Sequence, residues 1–232
     1  YRTGDFGKNW EDISGNLPDA PISVVLEDNV NPNLLFVGSD IGVYFTLNGG
    51  KEWIALKNNM PPLPVRDLLV HPREKDLVVG SYGRGVWVTN VAPLQELDDN
   101  ILQQDFHLFD IVPKPVNNRS QRAGWGNYDM TGDAHLRTPN ERAGLNIFYY
   151  QKKRLAKPLT LIVENLDGKE VTRPKLKNRP GIHKVTWNSP KRKPGTFRFI
   201  LEYGKNKIVK KGRLTPRLIW PLTTRLREKP NQ

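Results

Sequence analysis

The sequence offers few side chains whose type and spacing could support catalysis. It contains no Cys, which excludes disulfides, thiol nucleophiles and thiolate metal sites. Its four His, at positions 71, 107, 135 and 183, form no HExxH motif and no close His/Asp pair, so we predict no metal site and no cofactor. His71 precedes a proline at a predicted strand end and His183 alternates along a predicted strand, which indicates structural roles for both.

Carboxylates and arginines of the first 100 residues are the remaining chemical candidates. A glycosidase needs two carboxylates on opposite sides of a pocket, and only Asp28, Asp40 and Asp67 could contribute to one here. Alone they form no catalytic signature, so we predict no catalytic residue in this segment. Five residues are instead candidates for a ligand pocket: Asp40, Arg66, Asp67, Tyr82 and Arg84.

Charge is divided unevenly along the chain. Residues 1–100 hold 8 Lys/Arg and 14 Asp/Glu, whereas residues 101–232 hold 28 and 10, and a break of this size predicts a domain boundary near residue 100. The basic half could bind a polyanion such as an acidic polysaccharide, lipopolysaccharide or nucleic acid. No DNA- or RNA-binding motif is present, and the position of the clusters at predicted turns favours a solvated surface. The clusters are Lys152, Lys153 and Arg154, and Lys191, Arg192 and Lys193.

A repeat of 43 residues organises the acidic half. Residues 1–10 align with residues 44–53, and Leu35–Ser39 resembles Leu77–Ser81. The aligned turns contain Thr3, Asp5, Gly7 and Trp10 in the first copy and Thr46, Asn48, Gly50 and Trp53 in the second. The Asp or Asn side chain can accept hydrogen bonds from its own turn, the Gly supplies a positive φ, and the Trp is expected to return as an apolar anchor. A third copy begins at residues 85–89 but lacks the turn.

Each repeat offers about four strands, the size of a propeller blade. The turns resemble the Asp-box, or BNR, repeat, Ser/Thr-x-Asp-x-Gly-x-Thr-Trp, found in sialidases, xyloglucan-cleaving enzymes and sortilin-type receptors. The resemblance implies that the boxes are structural turns and that residues 1–95 are the last blades of a β-propeller. Because two and a fraction blades cannot close a ring, it implies further blades upstream or on another chain. It also implies a bacterial protein that is secreted, periplasmic or on the cell surface.

The basic half is predicted to fold as a small β-sandwich. Residues 96–140 are predicted to be an exit segment with a strand at His107–Ile111, then a linker. Further strands are predicted at Leu145–Tyr150, Leu159–Glu164, Glu170–Arg173, Ile182–Trp187, Thr196–Tyr203 and Lys207–Leu214. The motifs Asp167-Gly168-Lys169, Gly181-x-His183-x-Val185-x-Trp187-Asn188 and Pro194-Gly195-Thr196-Phe197 resemble an immunoglobulin-like module similar to the sandwich of the flagellar hook-capping protein.

We therefore predict an all-β chain with propeller blades at 1–95, a linker at 96–140, an Ig-like sandwich at 141–215 and a basic tail at 216–232. The expected function is a non-catalytic ligand-binding and scaffold segment, with a carbohydrate or protein ligand and a peripheral cell-surface location. One alternative is part of a glycoside hydrolase whose catalytic carboxylates lie mainly in upstream blades. A second alternative is a polyanion-binding module in the basic half, without specific nucleic acid recognition.

Overall fold

The structure, a computed structural model, describes residues 1–57, 59–116 and 142–216. The chain is predominantly β, with several antiparallel sheets, as the sequence predicts. It divides into two compact units, residues 1–102 and 103–232, and each is considered by itself. No helix within the described ranges has the length and apolar composition needed to cross a membrane. The predicted basic tail and most of the predicted linker lie outside the described residues.

The first unit contains two antiparallel sheets. The first sheet has the order β1-β2-β3-β4 and the second has the order β5-β6-β7. Two five-residue helices follow, α1 (Ala92–Glu96) and α2 (Asp99–Gln103), and α2 spans the boundary between the units. The strands are β1 (Ile22–Glu27), β2 (Leu35–Ser39), β3 (Gly42–Thr46), β4 (Ile54–Ala55), β5 (Val65–Val70), β6 (Asp76–Ser81) and β7 (Val86–Asn90).

The 43-residue period extends to the details of strand pairing. β5 begins and ends 43 positions after β1. The β1/β2 ladder shifts register between Ile22 and Val24, and the β5/β6 ladder shifts between the equivalent residues Val65 and Asp67. An isolated pair between Arg2 and Glu11 stands 43 positions before a pair of the β3/β4 ladder. The repeated sequence therefore folds into a repeated structure.

The two sheets of the first unit pack face to face around one cluster of buried side chains. The first sheet contributes its front face, which consists of Val24, Leu26, Phe36, Val43 and Phe45. The second sheet contributes its back face, which consists of Val65, Leu68, Val70, Leu77 and Val79. Alternation along each strand separates front from back, so the interface joins two different faces of the repeat.

The second unit contains a third sheet, of order β13-β10-β8, and a fourth sheet, of order β12-β11-β14-β15-β9. Their facing sides enclose a core built around Leu145, Ile147, Leu161, Phe199 and Leu201. The strands are β8 (Phe106–Leu108), β9 (Lys114–Pro115), β10 (Leu145–Gln151), β11 (Thr160–Glu164), β12 (Glu170–Thr172), β13 (Gly181–Trp187), β14 (Gly195–Tyr203) and β15 (Asn206–Thr215).

Six of the seven strands predicted for the basic half are confirmed within one or two residues at each end. The prediction of a strand at His107–Ile111 was wrong in its extent, because the strand occupies Phe106–Leu108 only. β8 pairs with β10 through these three residues, and the chain then leaves the sheet after Phe109. The two short helices within residues 92–103 were not predicted.

Candidate functional site

The first box turn is closed by the side chains of Thr3 and Asp5. The Thr3 hydroxyl accepts a hydrogen bond from the Gly7 amide at 2.8 Å and donates to Asp5 Oδ1 at 2.9 Å. Asp5 Oδ1 also accepts from the Asn9 amide at 2.9 Å. These hydrogen bonds, those from Asn9 foremost, hold the pKa of the Asp5 carboxyl below its usual value. Gly7 has a φ of 86°, a conformation that glycine adopts without steric cost.

The second box turn has the same hydrogen bonds 43 positions later. The Thr46 hydroxyl accepts from the Gly50 amide at 3.1 Å and donates to Asn48 Oδ1 at 2.8 Å, and Asn48 Oδ1 accepts from the Glu52 amide at 3.0 Å. Gly50 has a φ of 98°. An amide oxygen thus takes the place of Asp5 Oδ1 with equivalent partners, whereas the hydrogen bond from the Asn9 side chain to Asp5 Oδ2 has no counterpart among the described residues of the second turn.

The tryptophans of the two boxes differ in burial. Trp53 is 5% exposed and packs against Leu35 and Val37, with Ile13 and Leu17 beside it. Trp10 is 62% exposed, in contrast to the expectation of an apolar anchor, and its indole N–H donates only to the Gly7 carbonyl at 3.1 Å.

Three of the five predicted pocket residues come together around the guanidinium of Arg66. Arg66 Nη1 lies 3.5 Å from Asp40 Oδ1 and donates to Ser23 Oγ at 3.3 Å. The guanidinium carbon lies 5.4 Å from the centre of the Tyr82 ring, a cation–π distance. Ser23 and Asp40 belong to the first sheet and its β2–β3 connection, and Tyr82 to the β6–β7 connection. The cluster therefore sits at one edge shared by both sheets, which we call the Arg66 edge.

The Arg66 edge is open to solvent. The Arg66 and Asp40 side chains are 54% and 39% exposed, and Tyr82 is 70% exposed. An exposed ring face beside a guanidinium and a carboxylate provides an apolar surface, donors and acceptors within a few ångströms. Such a set can bind a hydroxyl-rich or charged ligand.

The other predicted pocket residues have local contacts. Asp67 Oδ1 accepts from the Leu68 amide at 2.9 Å, and the Arg84 carbonyl accepts from the Trp87 indole at 3.1 Å. Asp28, the third carboxylate considered for glycosidase chemistry, is 3% exposed and accepts from the Gln95 side chain at 2.7 Å. Two backbone amides also donate to Asp28, so this carboxylate is a structural link between the β1–β2 loop and α1.

The structure does not bring the two predicted basic clusters together. Residues 152–154 follow the end of β10 that pairs with Gly181, whereas residues 191–193 follow Trp187, at the other end of the same ladder. Seven residues of strand separate these ends by about 20 Å. The Lys152 ammonium donates to Gln103 Oε1 at 3.1 Å, and that of Lys153 lies 3.6 Å from Asp105 Oδ1. Lys191 and Arg192 occupy a short 3-10 turn.

The histidines within the described residues have structural contacts. His71 Nδ1 accepts from the Glu74 amide at 3.2 Å, and His183 Nε2 donates to the Arg179 carbonyl at 2.7 Å. In the ranges that the structure describes, no group of three or more metal-ligating side chains is close enough to hold an ion. His135 lies outside the described residues.

Two functional residues were not predicted from the sequence. One belongs to the Arg66 edge and the other contacts the tryptophan of the second box. Ser23 stands 43 positions before Arg66, at the equivalent place in the first repeat, but its contact with Arg66 depends on how the two sheets pack. The Asn16 side chain hydrogen-bonds the backbone amide and carbonyl of Trp53. This contact depends on the packing of residues 13–17 on the first sheet, which the sequence alone does not indicate.

Comparison of the chain with models of known protein families gives no match, and comparison with curated proteins finds no relative.

Proposed function

We propose that the chain is a non-catalytic scaffold and ligand-binding segment of an Asp-box propeller protein that acts outside the cytoplasm, with an Ig-like sandwich following the blades. One observation carries the proposal: the second sheet exposes the face that the first sheet buries. Leu69, Val86 and Val88 are 57%, 68% and 60% exposed. The equivalent residues of the first sheet are Leu26, Val43 and Phe45, of which the last two are 2% and 8% exposed.

The opposite end of the first unit has the matching open face. Val65 and Leu68 of the second sheet are 0% and 5% exposed beneath the first sheet. Their equivalents in the first sheet, Ile22 and Val25, are 44% and 62% exposed. The open front face of the second sheet and the open β1 part of the back face of the first support the addition of further sheets of the same repeat at both ends, as a propeller requires. The rest of that back face, Leu35 and Val37, is covered by Trp53.

The Arg66 edge supports the binding part of the proposal. Arg66 extends from the second sheet to Ser23 and Asp40 of the first, so its geometry depends on how two neighbouring sheets pack. Stacked sheets would place several such edges side by side and so form a larger ligand surface. A carbohydrate fits the exposed Tyr82 ring and its polar neighbours, and a protein loop is the second ligand class.

The stacking part is tested by charging the open front face. Val88→Asp in the full chain is expected to reduce the binding of a hydrophobic dye and any concentration-dependent association seen by sedimentation. Val209→Asp is the matched control, since Val209 is also an exposed strand valine, 48% exposed, but lies in the second unit. If both variants behave like the parent chain, the front face is not a docking face and the scaffold proposal fails.

The ligand part is tested separately with a carbohydrate array. Arg66→Ala and Tyr82→Ala are expected to abolish binding of any glycan that the parent chain retains, while the chain stays folded. Arg73→Ala is the control, because it removes an exposed arginine beyond the other end of β5. Binding that survives Arg66→Ala and is lost with Arg73→Ala would place the ligand elsewhere.

A further inference from the structure

The outer face of the fourth sheet carries a line of cations along one strand. β15 packs Ile208 and Leu214 against the core of the second unit. Side chains alternate between the two faces of a strand, so the other face of β15 carries residues of the opposite parity. These are four exposed residues, Lys207, Val209, Lys211 and Arg213. We call the three cations among them, Lys207, Lys211 and Arg213, the basic column.

The two faces of β15 differ in how their lysines are paired. Lys210, on the core side, is 28% exposed, and its ammonium donates to Asp110 Oδ1 at 2.6 Å. The three cations of the basic column form no ion pair with any carboxylate in the part of the chain that the structure describes. The strand thus neutralises the lysine that it partly buries and leaves the charges of the column to the solvent.

Two cations stand directly opposite each other in the middle of this face. Arg198 of β14 pairs with Lys211 on one side and with Glu164 of β11 on the other. Arg198 Nη2 donates to Glu164 Oε2 at 2.7 Å. Like charges directly opposite each other in a sheet are destabilising. One carboxylate therefore serves two neighbouring cations, and the pair of Arg198 and Lys211 keeps an uncompensated positive charge.

Arg198 also has unused donors. A guanidinium carries five N–H donors, but within the described residues only Nη2 of Arg198 forms a hydrogen bond, and its Nε is buried without a partner. The side chain is 37% exposed, so the guanidinium is accessible beside the Lys211 ammonium. An anionic group bound between the two would accept charge-assisted hydrogen bonds and supply the missing counter-charge.

The basic column has the dimensions of an extended chain. Alternate residues of a strand lie about 7 Å apart. Arg213 is therefore about 7 Å from Lys211 on one side, and Lys207 about 14 Å on the other. Val209, 48% exposed, fills the interval and pairs with Ile200 of β14. Cations interrupted by an apolar step match a sugar chain, whose rings carry charged groups at their edges and C–H groups on their faces.

The neighbouring strands restrict the ligand to a narrow one. β11 and β12 lie about 10 and 15 Å from β15 across the sheet, and they place Glu164 and Glu170 on the same face. An anionic membrane or a nucleic acid duplex would cover these carboxylates together with the column. Single-stranded nucleic acid binds by stacking its bases on aromatic rings, and none of the outward residues of β11, β12, β14 and β15 is aromatic.

We propose that the basic column and Arg198 bind an acidic polysaccharide, a linear sugar chain with carboxylate or sulfate groups, that lies along β15. One anionic group binds between Arg198 and Lys211, and its neighbours along the chain bind Arg213 and Lys207. The site differs from the clusters predicted from the sequence at 152–154 and 191–193. It is also independent of the proposed function, whose evidence comes from the first unit.

The test measures binding of the full chain to heparin, which carries sulfates and carboxylates, and to polygalacturonate, which carries carboxylates alone. Binding to either polymer is expected. Lys211→Glu should weaken it at least tenfold and reduce the slope of log affinity against log salt concentration by about one or more. The same variant should unfold at an unchanged or higher temperature, because a carboxylate opposite Arg198 removes the like-charge pair. Loss of binding without loss of stability separates a binding residue from a structural one.

Lys184→Glu is the matched control. Lys184 is also an exposed strand lysine of the second unit, but it belongs to β13 in the third sheet. The two substitutions change the net charge of the chain equally, so equal weakening would mean non-specific attraction to a chain of charge +12 and would overturn the proposal. Failure of the parent chain to bind either polymer would also overturn it. Tighter binding to phosphatidylserine vesicles or to oligothymidine, lost with Lys211→Glu, would overturn it in favour of a membrane or of single-stranded nucleic acid.

Discussion

Gly38 and Gly80 are equivalent glycines, and replacing each by alanine tests the packing of the two sheets. A Cβ added at Gly38 would lie 2.5 Å from Val65 Cγ1 and 2.6 Å from Val24 Cγ1. Both distances are too short for carbon atoms, so the two sheets would have to move apart. A Cβ added at Gly80 would meet only Asp67, at 3.7 Å, because the front face of the second sheet is open.

The magnitude follows from two opposing effects. Overpacking of a core by one methyl group costs about 1–3 kcal/mol, while replacement of glycine by alanine gains about 0.4–1 kcal/mol through the unfolded chain. We therefore expect Gly38→Ala to lower the free energy of unfolding of the first unit by about 1–2 kcal/mol. For a domain of about 100 residues this is a decrease of roughly 5–10 °C in Tm. Gly80→Ala is expected to leave stability unchanged or to raise it by up to about 1 kcal/mol.

The assay is equilibrium denaturation combined with hydrogen exchange of the β2 and β5 amides, which reports on the first unit alone. Gly38→Ala should accelerate exchange in both strands, and Gly80→Ala should not. Equal destabilisation by the two substitutions would refute the reasoning, because it would mean that both faces are equally buried. A neutral Gly38→Ala would mean that the front face of the first sheet is not in close contact with Val65.

Three further outcomes are expected. Thr46→Ala should lower the free energy of unfolding by about 1–2 kcal/mol in a denaturation experiment, because the Gly50 amide and the turn lose their hydroxyl partner; no change would contradict the role of the box. The folded-state pKa of Asp5 is depressed below the ordinary value of 3.8, so its stabilisation of the turn should be complete above that pH and lost as the pH falls through the folded-state pKa. An NMR titration that finds an ordinary pKa at Asp5 would exclude this. Asn178→Ala should destabilise the second unit by about 2–4 kcal/mol and expose the Leu155 amide to exchange, because Asn178 bonds both the amide and the carbonyl of Leu155; an unaltered exchange rate would count against it.

Local patterns were the part of the fold that the sequence could predict. The hydrogen bonds of the box turns close within four residues, so Thr46, Asn48 and Gly50 specify their turn without any distant partner. Alternation of apolar residues located most strands of the second unit, because the strands pack one face on a core. The five-residue helices were missed because segments so short have little helical stability of their own. Their signals were short: a Pro in the first turn of α1, and Asp98 before α2, whose Oδ1 accepts from the Ile101 amide at 2.7 Å.

Contacts between distant residues could not be predicted in the same way. The Arg66 edge joins side chains 43 and 26 positions apart, and the link between Asp28 and Gln95 spans 67 positions. Such contacts depend on the angle between two packed sheets, which no local pattern encodes. The exposure of Trp10 was misjudged for the same reason, since the burial of its counterpart Trp53 depends on Ile13, 40 positions away.

The 43-residue spacing of contacts also determines which changes of length this chain can tolerate. Each sheet packs on the next through different faces, and residues 43 positions apart hold the same place within their own sheets. An insertion or deletion of one whole repeat would keep the pattern of strand pairs and turns, while one of half that length would interrupt it. The length of such a protein therefore changes in whole-repeat steps, and gene duplication is the natural means by which it grows.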